Sequence, residues 1–274
     1  MSAESHNTSD PLDHTEEFPH LARTPIVEAA IQIHCRVQVA WNEATIRPLL
    51  VDRLPDYSNV QSLSAFRLHL DMQQSDSTSG EDPSGFSAAH RAQTAWGGLR
   101  MSTPDGRWVA VFTAEWTVVS RLAPYDGWQS LSDEAMRLWV MFAEIANVSE
   151  IHRVATRYIN RIDVPAETFD VGEYFHGFGD APSGFVARGF LHQDTLRFPG
   201  YPYDINRIRT IRANPDTQTS HSLILDLDVA SNEKTMADRS AILRKLSDFR
   251  CIKNKVFFSS VTDRTLDLFR EPAP

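Results

Sequence analysis

Cysteine is close to absent from this chain. Cys35 and Cys251 are its two cysteines, which make neither a disulfide framework nor a zinc site. No uncharged apolar run approaches the roughly 18–20 residues that span a bilayer. The N-terminus lacks the basic-then-apolar pattern of a secretory leader, so the chain reads as cytoplasmic with no membrane partner. No phosphate loop, dinucleotide fingerprint, zinc-protease helix or nucleophile elbow occurs. The ten histidines contain no ligand pair at i, i+4, so neither a metal nor a cofactor is expected and no catalytic residue is assigned.

What is present is ordinary for a folded protein. Of 274 residues, 42% are hydrophobic and 23% charged, which excludes wholesale disorder and allows one large domain or two small ones. The formal charge of −9 is unevenly spread. Residues 1–20 hold Glu4, Asp10, Asp13, Glu16 and Glu17 and no Lys or Arg; the rest of the chain carries 31 acids against 27 bases. Residues 1–22, polar and with almost nothing to bury, read as a flexible acidic tail. An acidic surface repels phosphate backbones at long range, which disfavours nucleic acid as a partner. The local exception is 239–255, with six bases against Asp248. These bases scatter around a helical wheel, as on a solvated helix, although a phosphate-binding face is the alternative.

The order of elements follows from periodicity. Val27, Ala29, Ile31, Ile33, Cys35 and Val37 alternate with Glu28, Ala30, Gln32, His34 and Arg36, a strand with one buried face. Residues 42–54 read as a helix capped by Asn42, and Phe66 to Met72 as a second strand, followed by a Ser/Gly/Asp loop over 75–85. Pro104-Asp105-Gly106 then joins two strands over 92–103 and 107–122. Pairing Thr103 with Arg107 would put Trp96, Trp108, Phe112 and Trp116 on one face, a possible aromatic platform for bases or a partner chain, or else core. A helix from about Ser132 closes this half. After it, Val154, Thr156, Tyr158, Asn160, Ile162 and Val164 line one side of a strand, and Arg153, Arg157 and Arg161 the other. A short helix near 170–178, strands near 185–198, 203–213 and 221–230, a long helix over 236–258 and a short one from Thr262 complete the chain.

Each half thus reads strand, helix, three strands, helix: 23–150 and 151–270, with no Pro/Gly/Ser-rich connector between them and therefore a shared core. The fold class is α+β, two tandem units forming antiparallel sheet or sheets with helices mainly on one side.

Several polar groups could carry chemistry. In the hairpin over 203–230, a loop at 214–221 would set Arg209 against Asp226 and Arg207 against Asp228, leaving Ile208, Leu223, Leu225 and Leu227 on the other face. Asp226 and Asp228 then accept from those arginines; a divalent metal is the competing use. Arg157 and Arg161 share a strand face about 13 Å apart and suit planar anions, unless acids on neighbouring strands neutralise them. Glu28, Gln32 and His34 share the polar side of the first strand. Together Glu28, Gln32, His34, Arg157 and Arg161 are the candidate ligand-binding residues.

Three segments carry a family likeness: the opening strand Pro25-Ile26-Val27-Glu28-Ala29, the central Arg157-Tyr158-Ile159-Asn160-Arg161-Ile162, and the helix end Phe257-Phe258-Ser259-Ser260-Val261-Thr262. With these the chain, over roughly 24–269, resembles a sporadically distributed, uncharacterised bacterial family of similar length. The resemblance implies a patchily inherited accessory gene of mobile or defence loci and supplies no catalytic residues. The expected function is a non-enzymatic accessory or regulatory module that binds a partner protein or small ligand on its sheet surface. Two alternatives stand: a nucleic-acid-binding component of a defence system, using the arginine row and aromatic ribbon, and a hydrolase on a phosphorylated substrate, with Glu28, His34, Arg157 and Arg161 around a cleft.

Overall fold

The computed structural model describes residues 12–71, 89–164, 170–178, 189–213 and 221–270. Among them the chain runs β1 (Ile26–Cys35), α1 (Glu43–Arg53), β2 (Asn59–Asp71), β3 (Ala89–Ser102), β4 (Trp108–Thr113), β5 (Trp116–Leu122) and α2 (Trp128–Ala146). It continues through β6 (Glu150–Val164), a 3-10 turn (Val171–Glu173), β7 (Leu191–Arg197), β8 (Tyr203–Ala213), β9 (His221–Ser231), β10 (Thr235–Met236), α3 (Arg239–Ser260) and α4 (Asp263–Arg270). The ten strands form one sheet in the order β2-β3-β4-β5-β1-β6-β9-β8-β7, with β10 beside β6 off this path. Every pairing in it is antiparallel. The chain is α+β, and β1 and β6 lie side by side at the centre of the sheet.

The central strands follow their alternation. In β6, Val154, Thr156, Tyr158, Asn160, Ile162 and Val164 are all buried, while Arg153, Arg157 and Arg161 point to the other face. α1 starts where Asn42 accepts the Thr45 amide at 3.0 Å, which satisfies one of the free donors of the first turn. α2 begins a turn earlier than Ser132. Trp128 packs against the core, and Ser132, buried inside the helix, donates to the Gln129 carbonyl at 3.1 Å. The inner stripe of α2 is Leu131, Ala135, Leu138, Trp139 and Phe142, all buried. The helix expected near 170–178 is a single 3-10 turn, and the loop at 75–85 lies outside the described residues.

Residues 107–122 are two strands, not one. The chain reverses at Ala114–Glu115, where the Thr113 hydroxyl accepts the Trp116 amide at 3.0 Å. Four strands therefore follow α1. The preceding turn also differs by one residue from expectation. Gly106 sits at φ 69°, its amide bonds to the Thr103 carbonyl at 2.9 Å, and the Thr103 amide bonds to the Trp108 carbonyl. Thr103 thus opposes Trp108 instead of Arg107, and Leu99 opposes Phe112. The consequence is that Phe112 joins Leu99, Met101 and Ala110 in the core.

The 203–230 hairpin slips by one as well. Arg207 opposes Leu227, Arg209 opposes Leu225, and Asp226 opposes Ile208. The arginines share the leucine face because their partners are there. Arg207 makes a paired contact with Asp194 on β7, with Nε–Oδ1 at 3.0 Å, and donates to the Ser260 hydroxyl at 2.9 Å. Arg209, only 2% exposed, donates to the His176 carbonyl at 2.7 Å and lies over the Phe178 ring. Leu223, Leu225 and Leu227 still reach a core with Ile162, Val164, Tyr174, Phe175 and Phe257.

The larger core cluster joins residues from both sides of the chain midpoint, including Leu131 and Phe142 with Tyr203, Val229 and Phe249. The expected flexible tail divides. Residues 1–11 lie outside the described set, whereas 12–22 lie against α3. Leu12 is buried, His14 meets Asp248 at 3.1 Å, Glu16 pairs with Lys255, and Phe18 stacks on Phe258 with centroids 5.2 Å apart. His14, Glu16 and Phe18 each have a partner on α3, which a composition average conceals.

Candidate functional site

On the sheet face that carries Arg153 and Arg157, equivalent positions of four neighbouring strands line up. Ala30 of β1 opposes Arg157 of β6, which opposes Asp228 of β9, which opposes Asn206 of β8. One pleat along, Glu28, Ile159, Asp226 and Ile208 form the next row; one pleat back, Gln32, Ala155, Ala230 and Asp204 form another. The small side chains of Ala30, Ala155 and Ala230 are buried beneath the long charged ones around them. A cleft of about 390 Å³ results, with Glu28, Gln32, Arg157, Asn206, Asp226 and Asp228 among its walls and Ala30 and Ala155 at its floor.

The charges in this cleft are paired across strands. Arg157 grips Asp226, with Nε 2.9 Å and 3.2 Å from the two carboxylate oxygens. Arg153 spans Gln32 and Asp228, at 2.8 Å to each. Glu28 accepts from Ser120 of β5 at 3.0 Å. The Asp226 hydrogen bond raises the Arg157 guanidinium above its ordinary value. Burial pushes the Asp228 carboxyl up, partly opposed by Arg153. The cleft thus holds both charge signs in fixed positions while the Arg157 side chain stays 55% exposed, available to a further acceptor.

Three of the five candidate residues meet here: Glu28, Gln32 and Arg157. His34 sits further along β1, opposite Arg153, its ring 6.5 Å from Trp116, and burial lowers its pKa. Six residues of strand separate it from Glu28, about 20 Å, too far for the two to share a proton. Arg161 pairs with Asp163 at 3.2 Å. Sequence reasoning assigned Asp226 and Asp228 to Arg209 and Arg207; their arginines are instead Arg157 and Arg153 on β6. The pairing of β6 with β9 was the missing information, and no local signal announces it.

The four aromatic residues are not one surface. Trp96 stacks on Trp41 at 5.8 Å, Trp41 meets Phe142 edge-on, and Phe142 stacks on Phe112 at 5.7 Å. Phe112 is wholly buried. Trp108 is covered by Arg121, 5.2 Å above its ring. Trp116, opposite His34, is the one on the side of the cleft. Trp96, Trp108 and Phe112 pack on the core side, and the chain reversal at Ala114–Glu115 puts Trp116 on the other face, because Phe112 opposes Thr117.

No protein-family model matches the chain, and no curated protein matches it in sequence. No helix among the described residues is long and apolar enough to cross a membrane.

Proposed function

We propose that this protein is a non-enzymatic accessory or regulatory binding module of the cytoplasm, and that the Arg157 cleft is its recognition site. The observation that carries this reading is the cleft itself: an alanine floor walled by Arg157 and three carboxylates, with Arg153 holding Gln32 and Asp228 in a pre-organised network. Groups of both signs held in place recognise a ligand of both signs at little reorganisation cost. The ligand class is a zwitterion, either a free amino-acid-like molecule or a charged segment of a partner protein. The reading includes two further parts: that the halves are tandem strand–helix units whose helices cover the opposite side of the sheet, leaving this face for the ligand, and that the chain belongs with the sporadic bacterial family it resembles, as an accessory gene of a mobile or defence locus.

The pairing of Arg153 and Arg157 with carboxylates favours this reading over a nucleic-acid site, since paired arginines release few counterions from a phosphate backbone. A thermal-shift series with glycine, arginine, glutamate and short charged dipeptides tests it. At least one zwitterion should raise the melting temperature of the wild type and leave Arg157→Met unmoved. No shift with any of them, or equal shifts in both proteins, contradicts the assignment. Retention of the wild type by a DNA or RNA oligonucleotide at moderate salt would favour the nucleic-acid alternative.

A further inference from the structure

Lysine is scarce in this chain: there are four, at 234, 245, 253 and 255. Three of them reach a carboxylate. Lys234 lies 3.3 Å from Glu150, Lys245 lies 3.1 Å from Glu233, and Lys255 pairs with Glu16. Lys253 does not. Its ammonium stands 4.5 Å from the centroid of the Tyr158 ring, and it makes no hydrogen bond or ion pair among the described residues. Arg250, three positions earlier on α3, has no carboxylate among the described residues either. Residues i and i+3 of a helix are neighbours, so two cations share one face without an acid between them, an arrangement that is unfavourable on its own.

Both cations line a cavity of about 660 Å³ between α3, the 14–26 segment and β6, on the other side of the sheet from the Arg157 cleft. The acids at its edge are Glu16, engaged by Lys255, and Glu17; neither pairs with Lys253 or Arg250. The rest of the lining includes Phe18, Leu21, Phe257 and Phe258, together with Tyr125 and Asn160. Burial, and then Arg250, bring the Lys253 amine down to about 8. At neutral pH it is still mostly charged, and it carries that charge with only a ring face to offset its lost hydration. An acceptor anion would remove the cost. A methionine of similar length would carry no such cost.

We propose that this cavity binds a small organic anion, with a carboxylate or phosphate head on Lys253 and Arg250 and an apolar body against the phenylalanines and Leu21. The head accepts charge-assisted hydrogen bonds, and the rings supply the area that an inorganic ion would leave exposed. This site is separate from the Arg157 cleft and stands or falls independently of it.

Calorimetric titration of the full chain with benzoate, phenyl phosphate and neutral benzyl alcohol tests the proposal. At least one anion should bind and the alcohol should not; which anion wins separates a carboxylate site from a phosphate site. Lys253→Gln should weaken the anion at least about tenfold, Lys253→Arg should keep it, and Lys234→Gln and Arg157→Met should leave it unchanged. Failure of both anions to bind, equal affinity in Lys253→Gln, or equal binding of benzyl alcohol overturns the proposal. If Lys253→Gln does not fold, the wild type still decides. Phenyl phosphate or benzoate should slow acetylation of Lys253 relative to Lys234, read by peptide mass, and an unchanged ratio overturns it.

Discussion

Arg207 and Asp194 show at the scale of single residues how an arginine comes to lie on the core face of a sheet. The guanidinium is held by Asp194 on the next strand and by the Ser260 hydroxyl at the end of α3. The hydrogen bonds from Arg207 hold the Asp194 carboxyl below its ordinary value. A carboxyl whose folded pKa is depressed stabilises the fold above the unfolded value of about 3.9, and that contribution is lost as pH falls through the lower folded value. Asp194→Asn should therefore cost on the order of 1–3 kcal/mol at pH 7. The difference from wild type should close as both are acidified. Urea unfolding at neutral pH and at successively lower pH measures it, and a difference that persists undiminished in acid would show that the carboxylate charge is not what Arg207 uses.

At the scale of elements, the alternation in β1 and β6 and the cap of α1 were legible in the sequence, because burial and a capping side chain are local properties. Both hairpin registers were not. Each is offset by one residue, a shift that depends on the turn conformation in one case and on the partners of Arg207 and Arg209 in the other. Gly98 records the first offset. It adopts φ +143°, and a Cβ there would lie 2.1 Å from the Phe112 carbonyl oxygen. A side chain would have to push β4 away while holding a backbone conformation that L residues avoid. Gly98→Ala should destabilise the protein by at least about 2 kcal/mol, and Gly106→Ala, in open space although also at positive φ, by less. Thermal denaturation of the pair ranks them, and the reverse order would mean that turn conformation dominates over the close strand approach.

At the scale of the whole molecule, the candidate site depends on adjacency between strands far apart in the chain. Glu28, Gln32 and Arg157 could be selected from the sequence because each is a polar residue on an otherwise buried strand. Asp226 and Asp228 could be seen but not placed, since nothing near them specifies β6 as their neighbour. The same long-range pairing joins the two halves, with β1 against β6 along most of their length and one hydrophobic cluster drawn from both. Separately expressed residues 1–149 and 150–274 should each lack a cooperative unfolding transition, because each would expose an unpaired central strand and half a core. Two halves that melt cooperatively by calorimetry would show that the core is divisible.

The central claim is that the cleft around Arg157 is where a ligand of both charge signs is received. The most direct measurement follows the arginine Nε–H resonances by NMR while the zwitterion that gives the largest thermal shift is titrated in. The account predicts that the Arg153 and Arg157 signals move together and saturate, with those of Arg207 and Arg209, on the far face of the sheet, unmoved. Saturable binding that leaves Arg153 and Arg157 unchanged would contradict it.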